Sequence, residues 1–186
     1  MILPESSLFT LEVEAQARGT RAPAANERLH IKVNKKLRPA QVADLAARIT
    51  GLESSKQVAL ERAGLPAVLL SLLAGALGMP RKRLLEMLAV SRASVEEKIS
   101  SSEPLRGDAN RRTFNLLRLL AQARELVDSS TAPEAAELDV GAWLGRWIET
   151  PQPALGGQRP SRLLDTETGT RVVERALGAL RSGAYV

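Results

Sequence analysis

"GLPAVLLSLLAGALGMPRKRLLEMLAVSRASVEEKIS", Gly64 to Ser100, decides the fold class. Its prolines and glycines stand where helices begin and end, and its apolar residues keep helical spacing. Pro66 suits a first helical turn, where its missing N–H would be unpaired anyway. Gly78 closes that helix, because glycine readily adopts the left-handed conformation found at helix ends. Pro80 opens a second helix reaching about Leu88. Ala89 and Val90 make a tight turn, and Ser91 caps a third helix that ends near Ser101. The uncharged run Leu65–Met79 is too short to cross a bilayer and reads as a buried helix.

The same punctuation continues on both sides. Upstream, Pro39 starts a helix with Val42, Leu45, Ala46 and Ile49 on one face, ending at Gly51. Ser54 with Gln57 forms a capping-box pattern, and Gly64 closes that short helix. Downstream, Asp108 is expected to cap a long segment through about Val127, carrying Phe114, Leu117, Leu120 and Ala121. After a Ser/Thr/Pro/Ala/Glu linker, Asp139 caps a helix with Val140, Trp143, Leu144 and Trp147. Thr166 caps the last helix, with Val173, Ala176, Leu177 and Leu180 on one stripe and Gly183 at its close. Ahead of all this, Leu11, Val13 and Ala15 alternate with polar residues, as do Leu29, Ile31 and Val33. The expected fold is all-α. It has an N-terminal arm (1–35) that is either two short strands or a disordered extension, a helical domain (36–131) and a smaller C-terminal helical unit (132–186).

Composition narrows the chemistry. The chain has 186 residues, 44% of them hydrophobic but only 3% aromatic, so its core rests on Leu, Val and Ala. With no cysteine, disulfide and thiolate chemistry are excluded, and a reducing cytoplasm is the expected location. His30 is the single histidine, so a His-based metal site or triad has little material; no catalytic residue, metal or cofactor is expected. Met1–Thr10 lacks the basic start and apolar run of a signal peptide. The net charge of +5 is compatible with nucleic-acid contact without requiring it.

Two constellations remain. The helices on either side of Ala89–Val90, with Leu84, Leu85, Leu88, Val90 and Val95 facing inward, fit a helix-turn-helix. Its second helix would present Ser91, Arg92, Ser94 and Lys98 to a groove, with Arg81 and Lys82 reaching phosphates. Glu96 and Glu97 oppose that reading, and such helix pairs also occur in bundles that touch no DNA. The second constellation lies in the last quarter: Trp143 and Trp147 one helical turn apart, the loop "ETPQPALGGQRPSRLLDTETG" (Glu149–Gly169), and Tyr185, the only tyrosine. The indoles either fill a small core or anchor a recognition surface, for which rigid aromatics and prolines suit. Gly156 and Gly157 allow positive φ, but neither GxGxxG nor a P-loop pattern is present.

Taken together, Trp143-Leu144, "PALGGQRPSRLLDTETG" from Pro153, Val172-Val173, Leu177 and the closing "SGAYV" resemble the Xre/MbcA/ParS-type toxin-binding domain. The upstream "GLPAVLLSLLAGALGMPRKRLLEMLAVSRASV" is similar to the degenerate Xre-like region of the same antitoxins. It is followed by a Leu-rich helix ending in Ala123-Arg124-Glu125. The likeness covers Lys36 to Val186. It implies the antitoxin of a type II toxin–antitoxin pair, not itself an enzyme. Its partner would be a RES-domain toxin that consumes NAD or transfers ADP-ribose. It further implies a homodimer in a hetero-oligomeric toxin complex, operator DNA as a second partner, and no membrane. The toxin-binding residues it implies are Trp143, Trp147, Pro153, Gly156, Gly157, Arg159, Pro160, Arg162, Thr166, and, in a tail that covers the toxin's NAD pocket, Gly183, Tyr185 and Val186. Glu97-Lys98 departs from the two basic residues that the family often carries there, which weakens the case for DNA. A helix-turn-helix regulator without a toxin is the alternative.

Overall fold

The computed structural model describes residues 9–15, 27–33, 36–130, 135 and 137–180. The expectations placed on Gly183, Tyr185 and Val186 lie outside the described residues. The chain is mainly helical, as its punctuation predicts. Its helices are α1 (Pro39–Thr50), α2 (Ser54–Ala63), α3 (Val68–Ala76), α4 (Arg81–Met87), α5 (Arg92–Ser101), α6 (Gly107–Asp128), α7 (Val140–Glu149) and α8 (Glu167–Ala179). Two single 3-10 turns, Pro153–Leu155 and Pro160–Arg162, sit between α7 and α8. In the arm, β1 (Phe9–Ala15) pairs antiparallel with β2 (Glu27–Val33), Leu11 opposite Ile31 and Val13 opposite Leu29. β2 lies beside α2, and Ile31 is buried at 4% exposure.

α6 is the axis of the fold: α1, α2, α7 and α8 all pack on it. Its inner positions Phe114, Leu116, Leu117, Leu119 and Leu120 are buried, and one contiguous apolar cluster runs from Ile31 through these to Leu144, Ile148, Val173 and Leu177. Each such leucine contributes about 2 kcal/mol of transfer free energy. α7 and α8 therefore close over the same core as α1 and α3. The approach is closest where Gly141 and Gly145 of α7 meet the C-terminal carbonyls of α3, Ala76 O and Leu77 O.

Several helix ends form as read. Ser91, Asp139 and Thr166 are N-caps that accept from Ser94 N, Ala142 N and Gly169 N. Two differ. The Gln57 amide is taken up by Thr50 O and Leu52 O, each at 2.7 Å, so it makes no capping box with Ser54 and α2 begins after Glu53. α6 begins one residue before Asp108, with Arg106 at the N-cap position but its side chain donating to Arg62 O; Asp108 sits inside the first turn, paired with Arg111 and Arg112.

α3, α4 and α5 each end in a Schellman turn, with the hydrogen bonds Met79 N to Ala74 O, Val90 N to Leu85 O and Glu103 N to Lys98 O. The left-handed residue is Gly78 in the first, Ala89 (φ 47°) in the second and Ser102 (φ 58°) in the third. Arg112 holds the α4–α5 turn from outside, donating to Leu88 O and Ala89 O, both at 3.0 Å. A Cβ in the left-handed region costs roughly 1–2 kcal/mol, offset in part by the extra unfolded-state freedom of glycine. Ala89→Gly is therefore expected to raise stability by about 0.5–1 kcal/mol, read as a higher urea midpoint with unchanged m-value.

Candidate functional site

The site is built on α7 and the loop that follows it. Because Trp143 and Trp147 are four residues apart on a capped helix, their rings meet. The centroids are 6.5 Å apart with planes 22° from parallel, an offset stack of the kind aromatic pairs favour. Both rings are half-buried against the core cluster. The Trp147 Nε1 is fully buried with no acceptor among the described residues.

The loop is a closed structure rather than a slack connection. Gln152 N donates to Gln158 O and Gly157 N donates to Gln152 O, both at 3.0 Å. The Gln152 amide also caps α7 by donating to Trp147 O and Thr150 O. Gly156 (φ 62°) and Gly157 (φ 78°) turn the chain through two successive left-handed residues. The space beside their Cα atoms is open, so the backbone angles alone require glycine. Pro160 and Ser161 are buried. Gly169, by contrast, is required by contact, since a Cβ there would lie 2.0 Å from Leu163 O.

Ser161 joins the loop to α4. The Arg83 fork donates to Glu149 at 2.8 and 3.1 Å and to Ser161 Oγ at 3.2 Å, while Ser161 Oγ donates to Glu149 Oε2 at 3.1 Å. Arginine's planar donors suit this bidentate arrangement. The hydrogen bonds to Glu149 raise the Arg83 pKa further, so the guanidinium stays charged. Beside this network lies a cleft of about 720 Å3, with Arg159, Arg162 and Asp165 from the loop side and Glu86, Met87 and Ala89 from α4 and its turn.

Of the residues expected to meet a toxin, the structure brings Trp143, Trp147, Pro153, Gly156, Gly157, Arg159, Pro160 and Arg162 onto α7 and its loop, with Thr166 as the cap that starts α8. Arg159 and Arg162 are exposed beside the cleft. Leu180, the last described residue before the tail, is at the far end of α8; thirteen residues at 1.5 Å each place it about 20 Å from that cap. Leu164 is core at 2% exposure, and Leu155 and Leu163 pack partly against it.

The residues expected to meet DNA are distributed differently. Ser91 and Ser94 form the α5 cap. Lys82 pairs with Glu86, Arg92 with Glu96 and Lys98 with Glu103. The bond from Arg92 lowers the Glu96 pKa, which keeps that acid charged beside the helix start. The Nε and Nη2 of Arg81 are buried without a partner among the described residues.

Arg83, Glu149, Ser161 and Asp165 were not singled out from sequence. Arg83 lies in a visible basic run, but its partner is 66 positions away, and no local spacing pairs them.

Residues 122–183 match the family model described as the antitoxin Xre/MbcA/ParS C-terminal toxin-binding domain; the match begins within α6. A curated relative from Sphingobium sp. (strain YBL2), described as "Prs ADP-ribosylating antitoxin", is 36% identical over 110 residues. These cover 59% of this chain and 68% of the relative. No described helix is long and apolar enough to cross a membrane.

Proposed function

Because the chain belongs to the Xre/MbcA/ParS-type antitoxins, we propose that it binds and neutralises a RES-domain toxin that consumes NAD or transfers its ADP-ribose, doing so by covering the toxin's active site. Residues 132–186 form the toxin-binding unit, and catalysis belongs to the partner. The observation that carries this reading is the loop between α7 and α8. Its hydrogen bonds, its two left-handed glycines and its anchorage to Arg83 and Glu149 make it rigid before any partner arrives. A pre-formed surface loses little conformational entropy on docking. Arg159 and Arg162 stand exposed at its edge and suit carboxylates on the toxin. The tail beyond Leu180 would reach the NAD pocket. With the arginine pair and the tail root at opposite ends of α8, the toxin must lie along that helix.

The test is inhibition of NAD consumption by the purified cognate toxin. The full chain is expected to inhibit at stoichiometric ratio. Arg159→Glu with Arg162→Glu is expected to weaken inhibition roughly 10- to 100-fold, or about 1.4–2.8 kcal/mol, a size reached at charged interfaces. A chain ending at Leu180 should still bind but inhibit poorly. Undiminished inhibition by that shortened chain removes the tail from the mechanism, and undiminished inhibition by the arginine variant removes the loop edge.

A second role, repression of its own operon, is favoured by the α4–α5 pair, two short helices joined by a tight Schellman turn as a helix-turn-helix requires. The acid partners of Lys82, Arg92 and Lys98 would have to yield these cations to phosphates, which makes this the weaker of the two activities.

A further inference from the structure

The cleft beside the loop has walls from two distant parts of the chain. Arg159, Arg162 and Asp165 line the loop side; Glu86, Met87 and Ala89 line the side made by α4 and its turn. The α4 wall lies outside residues 122–183, which match the toxin-binding family. The Arg83 fork spans the gap, donating to Glu149 and to the buried Ser161. Each wall is also held from behind. Pro160 and Ser161 are buried under the loop, and Arg112 donates to Leu88 O and Ala89 O in the α4 turn. The cleft is therefore formed before a partner arrives, and its volume of about 720 Å3 is that of an ordinary binding site.

Its two walls carry charges available to a partner. Arg159 and Arg162 are exposed, and among the described residues neither they nor Asp165 enters an ion pair. Residues three apart on a 3-10 turn lie one above the other, so the two arginines stand together at the loop edge. Glu86 pairs with Lys82 at 3.9 Å, with both side chains exposed, and an exposed pair of this kind is worth little. A partner seated on the arginines has this concave space directly beside them. Bridging over it would take Glu86 and Asp165 out of water with no counter-charge, which is costly.

We propose that the docking surface is composite: a segment of the toxin fills this cleft, setting an acidic residue against Arg159 and Arg162 and a basic residue against Glu86 and Asp165. α4 then carries one half of the contact, although it lies outside the matched unit. Arg83 is a positioning residue, since it touches no partner and fixes the separation of the two walls. This inference rests on the toxin-neutralising reading above.

The test uses the full chain and follows NAD consumption by the purified cognate toxin. Glu86→Arg should weaken inhibition roughly 10-fold and Glu86→Gln by less, because reversal repels where neutralisation only removes an attraction. Both should keep the parent's urea midpoint, because Glu86 is exposed. Arg83→Met should also weaken inhibition roughly 10-fold, with the helical circular dichroism unchanged. The Ser161 hydroxyl accepts from Arg83 and donates to Glu149, so it can serve either polarity. Arg83→Glu combined with Glu149→Arg should therefore restore much of the inhibition, which loss of side-chain volume alone would not predict. If the parent chain fails to inhibit, the toxin reading falls and this inference with it. If the parent inhibits and either Glu86→Arg or Arg83→Met inhibits equally well, the toxin reading stands and the composite surface is overturned.

Discussion

Gly145→Val is expected to lower the thermal midpoint by roughly 6–12 °C, corresponding to about 3 kcal/mol for a chain of this size. A Cβ at Gly145 would lie 1.9 Å from Leu77 O and 2.8 Å from its carbonyl carbon, and one at Gly141 would lie 2.4 Å from Ala76 O. These are backbone atoms at the end of α3, so no rotamer change can make room. α7 would have to lift away, drawing Leu144 and Ile148, both fully buried, out of their places in the core. The cost then combines overpacking at the joint, about 1–3 kcal/mol, with lost contacts nearby. Gly75→Ala is the control. Gly75 lies in α3 with nothing within 4 Å of an added Cβ, and alanine there should stabilise by up to about 1 kcal/mol. Calorimetry of the two variants separates a tight helix joint from a general tolerance of larger residues. Equal midpoints for the two would remove the close approach from the account. Because α7 also carries the stacked indoles, Gly145→Val should weaken toxin neutralisation without altering any residue that faces the cleft.

Which parts of this were legible in the sequence follows from how far each interaction reaches along the chain. The caps at Ser91, Asp139 and Thr166 each join residues three apart, so their signatures are local and can be read. The indole stack follows from a spacing of four on a helix. The same local logic misled at Ser54, where S-x-x-Q has the right pattern but the Gln57 amide finds two carbonyls of the preceding turn. Tertiary competition for a hydrogen-bonding group is invisible to a four-residue window. Longer-range features were out of reach altogether. The Gly141–Gly145 spacing is plain in the sequence, but the carbonyls that demand it belong to α3. Arg83 looked like one more cation in a basic run until the fold brought Glu149 and Ser161 to it. The loop could be read as shaped from its prolines and glycines, whereas the cleft beside it depends on α4.

Asn110→Ala is expected to cost about 3 kcal/mol, although nothing in the local pattern around this polar residue singles it out. α2 breaks at Gly64, whose φ of 89° takes the chain out of the helix. In a continuing helix, Leu65 N would donate to Glu61 O. The Asn110 side chain fills that gap: Leu65 N donates to its Oδ1 at 2.8 Å, and its Nδ2 donates to Glu61 O at 2.8 Å. Asn110 and Leu65 are both buried, so truncation strands the Leu65 donor, at roughly 1–3 kcal/mol for a buried group; the Glu61 acceptor belongs to an exposed residue and adds less. Alanine also leaves a void, which confounds the reading, and two further variants separate the terms. Asn110→Leu refills the volume without an amide, and if the hydrogen bonds dominate it should be about as unstable as the alanine variant. Asn110→Asp keeps the acceptor for Leu65 N, but once ionised it cannot donate to Glu61 O, and its buried charge is poorly solvated. Its carboxyl pKa should therefore be raised in the folded state. Stability relative to the parent chain should be highest below the unfolded carboxylate pKa and fall as pH rises through the folded one, because protonation restores the missing donor. Urea unfolding of the aspartate variant at pH 4 and pH 8 measures this directly. A deficit that does not grow between those pH values would mean that the Glu61 carbonyl finds another donor, and that the break in α2 is held by Gly64 and the Leu105 N to Leu65 O hydrogen bond instead.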